Sequence, residues 1–111
     1  MGRVELLDKE RIIISEDFKE WQWFSFPKTV SVYLYLLLNA NTKAQYKGKD
    51  RIKRGSIGTT TEIIADACGI TKQNVRDALA RLERTGYVSR ERRNRYQIIT
   101  VTNYEQYKDD I

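Results

Sequence analysis

The chain has no histidine, one cysteine and one proline among its 111 residues. A single cysteine, Cys68, excludes an internal disulfide and fits a reducing, cytoplasmic setting. Without histidine, a structural zinc site of the usual Cys/His type and a catalytic triad built on imidazole are both excluded. No apolar run is long. The longest, Val32 to Leu38, falls well short of the roughly 20 residues needed to span a bilayer, so no membrane association is expected. The opening MGRVELLDKE alternates charge and lacks the apolar stretch of a signal peptide. Also missing are carboxylates paired for acid–base work, an activated nucleophile and a phosphate-cradling loop. Arg54-Gly55-Ser56-Ile57-Gly58 has glycines but neither the lysine nor the spacing such a loop requires. The expectation is a binding protein rather than an enzyme, with no cofactor and no metal.

Positive charge is plentiful and unevenly placed. The net charge is +5, but between Lys43 and Arg95 there are 14 Lys and Arg against 6 Asp and Glu, a local balance of +8. A surplus of this kind attracts polyanions.

The stretch IADACGITKQNVRDALARL, Ile64 to Leu82, organises the rest. Ile64 and Cys68 fall on one face of a short helix, since residues four apart stack on the same side. Gly69 ends that helix in the left-handed conformation that a residue without Cβ adopts freely. Thr71 caps a second helix, whose inward stripe is Val75, Ala78, Leu79 and Leu82. Two short helices meeting across a glycine corner predict a helix-turn-helix, whose second helix enters the major groove of DNA.

Before this unit, 1–14 reads as an N-terminal arm and 15–108 as one domain, with 109–111 a tail. Ser15 is placed to cap a small helix from Glu16 to Trp21. The aromatic cluster that follows suits a core or subunit interface better than a base-stacking platform, because basic residues do not interleave it. Pro27 breaks the chain ahead of a helix from about Lys28 to Ala40. Val30, Leu34, Leu37 and Leu38 form its expected inward stripe, yet the helix is apolar almost all round and so should be buried on more than one side. A second protomer is one candidate for that cover, through Trp21, Trp23, Phe24, Tyr33, Tyr35 and Leu36. Asn41 to Arg54 reads as a basic loop, free in solvent or touching phosphates. Gly55 to Thr59 is expected to be a short strand, and Thr60 the cap of the next helix.

After Leu82 the period changes. Gly86 closes the second helix, Tyr87-Val88 starts a strand, RERRNR makes a polar turn, and Tyr96 to Val101 is a β-branched and aromatic strand. A hairpin in this place is a wing. Asn103 with Gln106 resembles a capping box for a last short helix. The fold class expected is α+β, mainly α: a winged helix-turn-helix with a two- to three-stranded antiparallel wing sheet, extra N-terminal helices and a short C-terminal helix.

The candidate DNA-binding residues follow from this geometry. Thr71, Lys72, Gln73 and Asn74 open the recognition helix, where base edges are read. Gln and Asn pair with adenine, and Arg76, one turn on, reaches a base or a phosphate. Thr60 and Thr61 start the preceding helix, whose free amides suit a phosphate. At the wing, Arg90, Arg92, Arg93, Asn94 and Arg95 either touch phosphates or enter a narrow minor groove.

The segments WQWFSFPKTVSVYLYLLLNAN, KRGSIGTT, IIADACGITKQNVRDALARLERTGYV and NRYQIITVTNYEQYK together resemble the N-terminal winged-helix domain of phage replisome organisers and related DnaD-like replication proteins. The resemblance spans roughly residues 15 to 108. It implies a replication-initiation role: binding double-stranded DNA at an origin, self-associating, and recruiting helicase-loading or primosome proteins. A transcription regulator on the same scaffold, and a primosome assembly scaffold with little DNA contact, are the alternatives.

Overall fold

The structure, a computed structural model, describes residues 11–108; the expectations for the arm before Arg11 and for the tail 109–111 lie outside the described residues. The fold is α+β. Its helices are α1 (Pro27–Asn39), α2 (Thr61–Cys68) and α3 (Lys72–Arg84), and its strands are β1 (Gln45–Lys47), β2 (Asp50–Ile52), β3 (Ser56–Thr59), β4 (Val88–Arg92) and β5 (Gln97–Val101). Short 3-10 helices at Glu16–Glu20 and Tyr104–Tyr107 stand where the extra N-terminal and C-terminal helices were expected. Neither has the predicted side-chain cap. Ser15 bonds Asp17 instead, and the carboxamide of Asn103 serves Tyr33.

Strands β3, β5 and β4 form an antiparallel sheet in that order, with Ser56 opposite Thr100 and Val88 opposite Val101. The helices cover one face of it. Val75, Ala78, Leu79 and Leu82 are fully buried, as the 3.6-residue period of α3 dictates. They meet Val32, Tyr33, Leu36 and Leu37 of α1, Ile64 of α2, and Ile99 and Val101 of β5. Two corners aim the elements. Gly69, at φ 69°, turns α2 into α3. At the far end of α3, Gly86 N–H donates to Glu83 O and Tyr87 N–H to Leu82 O, satisfying carbonyls the helix leaves open and releasing the chain into β4.

The inward stripe of α1 is Thr29, Val32, Tyr33, Leu36 and Leu37, not the one expected; Leu38 is 67% exposed. A helix apolar all round carries no phase information, and the aromatic contacts set the phase. The Tyr33 ring lies 4.8 Å from Trp21, 6.2 Å from Tyr87 and 6.0 Å from Tyr107. Tyr33 and Leu36 are therefore core residues, and their assignment to a subunit interface is corrected: α2, α3 and the sheet supply the cover within one protomer. Trp21, Trp23 and Tyr35 are half-buried, with Trp23 Nε1 donating to Thr85 Oγ1 at 3.1 Å; only Phe24 of the six is exposed.

Burial pushes the Tyr33 phenol far above its ordinary range, and the hydrogen bond with Tyr107 adds to it. Its hydroxyl lies 3.1 Å from both Asn103 Oδ1 and Tyr107 OH. Tyr33→Phe, which keeps the ring and removes these bonds, should cost about 1–2 kcal/mol in urea unfolding at neutral pH. An unchanged midpoint would show that the bonds contribute nothing net.

The basic stretch expected as a loop contains a hairpin. β1 and β2 pair antiparallel from Gln45↔Ile52 to Lys47↔Asp50, leaving the two-residue turn Gly48-Lys49. The hairpin lies on the outer face of the sheet. Ile52 is buried outside the main core, as is Ile98 of β5. Gly58 is the register partner of Ile98, and a Cβ added there would lie 2.9 Å from Ile52 Cδ1. The close approach needs a residue with no side chain.

Candidate nucleic-acid interface

Helices α2 and α3 each begin on a threonine cap. Thr60 Oγ1 accepts from Ile63 N–H at 3.1 Å, and Thr71 Oγ1 accepts from Asn74 N–H at 3.0 Å. The Asn74 Oδ1 in turn accepts from Thr71 N–H at 3.4 Å, completing a capping box. Thr71 thus caps α3 as its place before the helix predicts, and in the free chain both side chains are engaged in starting the helix, with Asn74 half-buried. Lys72, Gln73 and Arg76 remain exposed on the first turns. Gln73 Nε2 donates to Asp77 Oδ1 at 2.9 Å, so Asp77 holds the amide. Lys72 Nζ lies 3.4 Å from Glu62 Oε2, with both side chains more than half exposed, a pair of little energetic weight.

The arginines of the β4–β5 hairpin divide into two sets. β4 runs on through Arg92, so Arg90 sits within the strand rather than at the tip, and its Nε and Nη2 lie 3.1 and 2.9 Å from Glu83 Oε1 of α3. Arg93 Nε donates to Asp50 Oδ1 at 3.0 Å, and its Nη2 lies 3.3 Å from Glu91. Arg90 and Arg93 tie strand to helix and hairpin to hairpin, so that either would release a carboxylate to reach a phosphate. Arg92, Asn94 and Arg95 are exposed, and neither Arg92 nor Arg95 has a carboxylate partner among the described residues.

Asp50 joins the two hairpins. Its carboxylate accepts from Tyr96 OH as well as from Arg93, and these bonds, the tyrosine's first, hold its pKa below the usual aspartate range. The same contact raises the Tyr96 phenol and the Arg93 guanidinium. Lys47 Nζ lies 5.1 Å from the Tyr96 ring centroid, within cation–π range. Between the tips runs a groove of about 620 Å³ whose walls include Lys47, Lys49, Asp50, Arg93, Asn94 and Arg95, with Thr60 also on its wall. A second groove, of about 740 Å³, follows α2 past Glu62, Ile63 and Asp66 to Lys72, and Thr60 lines it too. Thr60 lines both grooves, the one at the hairpin tips and the one that reaches the start of α3, with Thr61 half-buried beside it.

Sequence reasoning missed Asp50, Lys47 and Lys49 as members of one arrangement. The signal was the turn sequence Lys47-Gly48-Lys49-Asp50, since a two-residue turn starting with glycine marks a hairpin. Among the described residues no group of three or more His, Cys, Asp or Glu is placed to hold a metal ion, and no helix is long and apolar enough to cross a membrane. Comparison with protein-family models, curated proteins and solved structures found no match.

Proposed function

We propose that the chain is a winged helix-turn-helix that binds duplex DNA, with α2 and α3 as the helix-turn-helix, α3 in the major groove and the β4–β5 hairpin as the wing. One observation carries the reading: the groove between the hairpin tips and the groove that reaches Lys72 at the start of α3 meet at Thr60, which brings helix and wing within reach of one duplex. The exposed cations beside it are Lys72 and Arg76 on α3, held only by long contacts to Glu62 and Gln73 at 3.4 and 3.5 Å, and Arg92 and Arg95 on the wing, without a carboxylate partner among the described residues. Gln73 reads adenine once its amide exchanges Asp77 for a base edge, and the arginines of the tip hold phosphates. The role is binding rather than catalysis.

The replication setting is supported by the resemblance of the WQWF segment, the RGS turn and the closing NRYQIITVTNYEQY to phage replisome organisers. In that setting the chain works in the cytoplasm, recruits helicase-loading proteins and self-associates. Phe24 and Phe26, 47% and 40% exposed, are among the apolar groups available for self-association.

Selection of bound duplexes from a random pool tests the proposal. The native chain should enrich a defined site. Gln73→Ala should relax one position of it by about 10- to 100-fold, the worth of a bidentate base contact, and leave the salt dependence unchanged. A chain that retains no duplex at low salt yet sediments as a stable oligomer would replace this reading with an assembly role.

A further inference from the structure

We infer that the β1–β2 hairpin is a second wing, and that the groove between its tip and the tip of β4–β5 seats the sugar–phosphate backbone of the duplex. The inference rests on the DNA-binding reading and extends it to a segment with no part in the helix-turn-helix.

Charge is the first argument. The groove walls carry Lys47, Lys49, Arg93 and Arg95 against Asp50 alone. Arg93 compensates that one carboxylate, and Lys47, Lys49 and Arg95 have no carboxylate partner among the described residues. The groove therefore presents three uncompensated cations to whatever enters it.

Rigidity is the second. A charged loop loses conformational freedom when it binds, and much of its electrostatic gain goes with it. These two tips are already joined, because Asp50 of β2 accepts from Arg93 and from Tyr96 of the other hairpin. Beneath them the strands meet at Gly58, where Ile52 Cδ1, Lys47 Cδ and Tyr96 Cε2 would each lie within about 3 Å of an added Cβ. The two turns that carry the cations are joined before any ligand arrives.

The third argument is the type of donor. Lys47 and Lys49 end in point charges and offer no planar fork for a base edge, so they suit phosphate and carry no sequence information. Their neighbour Asn94 adds a neutral donor on the opposite wall. The groove is open and shares Thr60 with the groove beside α2, so the backbone it holds belongs to the same duplex that α3 enters.

The test is the Lys47→Ala, Lys49→Ala double variant, titrated by fluorescence anisotropy against a duplex of random sequence over a salt series. Both side chains are exposed, and thermal melting verifies the fold. Two lost phosphate contacts should flatten the log–log salt slope by about 1.8 and weaken binding on the order of 50-fold at about 0.1 M salt. The site enriched from a random pool should stay the same, and Lys47→Arg, Lys49→Arg should restore the slope. An unchanged slope in this variant, while Arg92→Ala, Arg95→Ala still flattens it, would overturn the second wing and leave the DNA-binding reading standing. A native chain that binds no duplex would remove both. An equal loss on a single-stranded oligonucleotide would overturn the assignment to a duplex.

Discussion

With Arg92 and Arg95 both changed to alanine, affinity for every duplex should fall alike, on the order of 50-fold at about 0.1 M salt. Each phosphate contact contributes about 0.9 to the log–log salt slope through counterion release, so two contacts remove about 1.8 from it. The choice of these two arginines comes from what the others already do. Arg90 lies against Glu83 at 2.9 Å and Arg93 against Asp50 at 3.0 Å; each would have to surrender a carboxylate to gain a phosphate. Arg92 and Arg95 surrender only water. Arg90→Ala should therefore leave the salt slope nearly unchanged, and an anisotropy salt series on the two variants separates the cases. Equal losses from Arg90 and from the Arg92/Arg95 pair would show that the ion pairs open on binding and that this division of the arginines is wrong.

Gly55→Ala should cost about 3 kcal/mol of stability, far more than the same change at Gly86. Both glycines are left-handed, with φ 81° and 85°, so alanine pays about 1–2 kcal/mol at either position for the backbone alone. The surroundings differ. A Cβ on Gly86 meets nothing within 4 Å, whereas one on Gly55 lies 3.1 Å from Tyr104 Cβ and Cγ. Tyr104 cannot yield easily: it is 3% exposed, and the Arg54 guanidinium lies 5.4 Å from its ring centroid. Overpacking of this kind adds about 1–3 kcal/mol. Nor can the backbone shift freely, since Gly55 N–H donates to Asn41 O at 2.8 Å and its carbonyl accepts from Val101 N–H at 2.9 Å. Urea unfolding of the two variants side by side isolates the Tyr104 contact, and equal losses would show that the ring gives way.

The residues that could be read in advance are those whose role is local. The stripe of α3 was legible because its period is strict, the Gly69 corner because its neighbours are helical, and the Thr60 and Thr71 caps because each precedes a helix. Asn74 shows where such reading stops: three residues after Thr71, an asparagine fits the capping box and the base edge equally well, and only coordinates decide. The ion pairs of the β4–β5 hairpin were illegible for a different reason. Asp50 and Arg93 are 43 residues apart, and nothing in either neighbourhood announces the other. The β1–β2 hairpin was hidden by its polarity, since its three-residue strands show little of the apolar alternation that marks a half-buried sheet, and β1 is exposed throughout. In α1, excess apolar surface misled in the opposite direction and suggested a second protomer where Trp21, Tyr87 and Tyr107 already surround Tyr33.

The gap between the two basic tips is ultimately set by a hydrogen atom. At Gly58 the upper hairpin rests directly on the strand, touching down through Ile52 and Lys47. Any side chain there would act as a shim, pushing against Ile52 and Lys47 and shifting one prong relative to the other without altering a single charge. The calibre of the opening is thus encoded in β3, at a position that carries no charge and lies outside both turns.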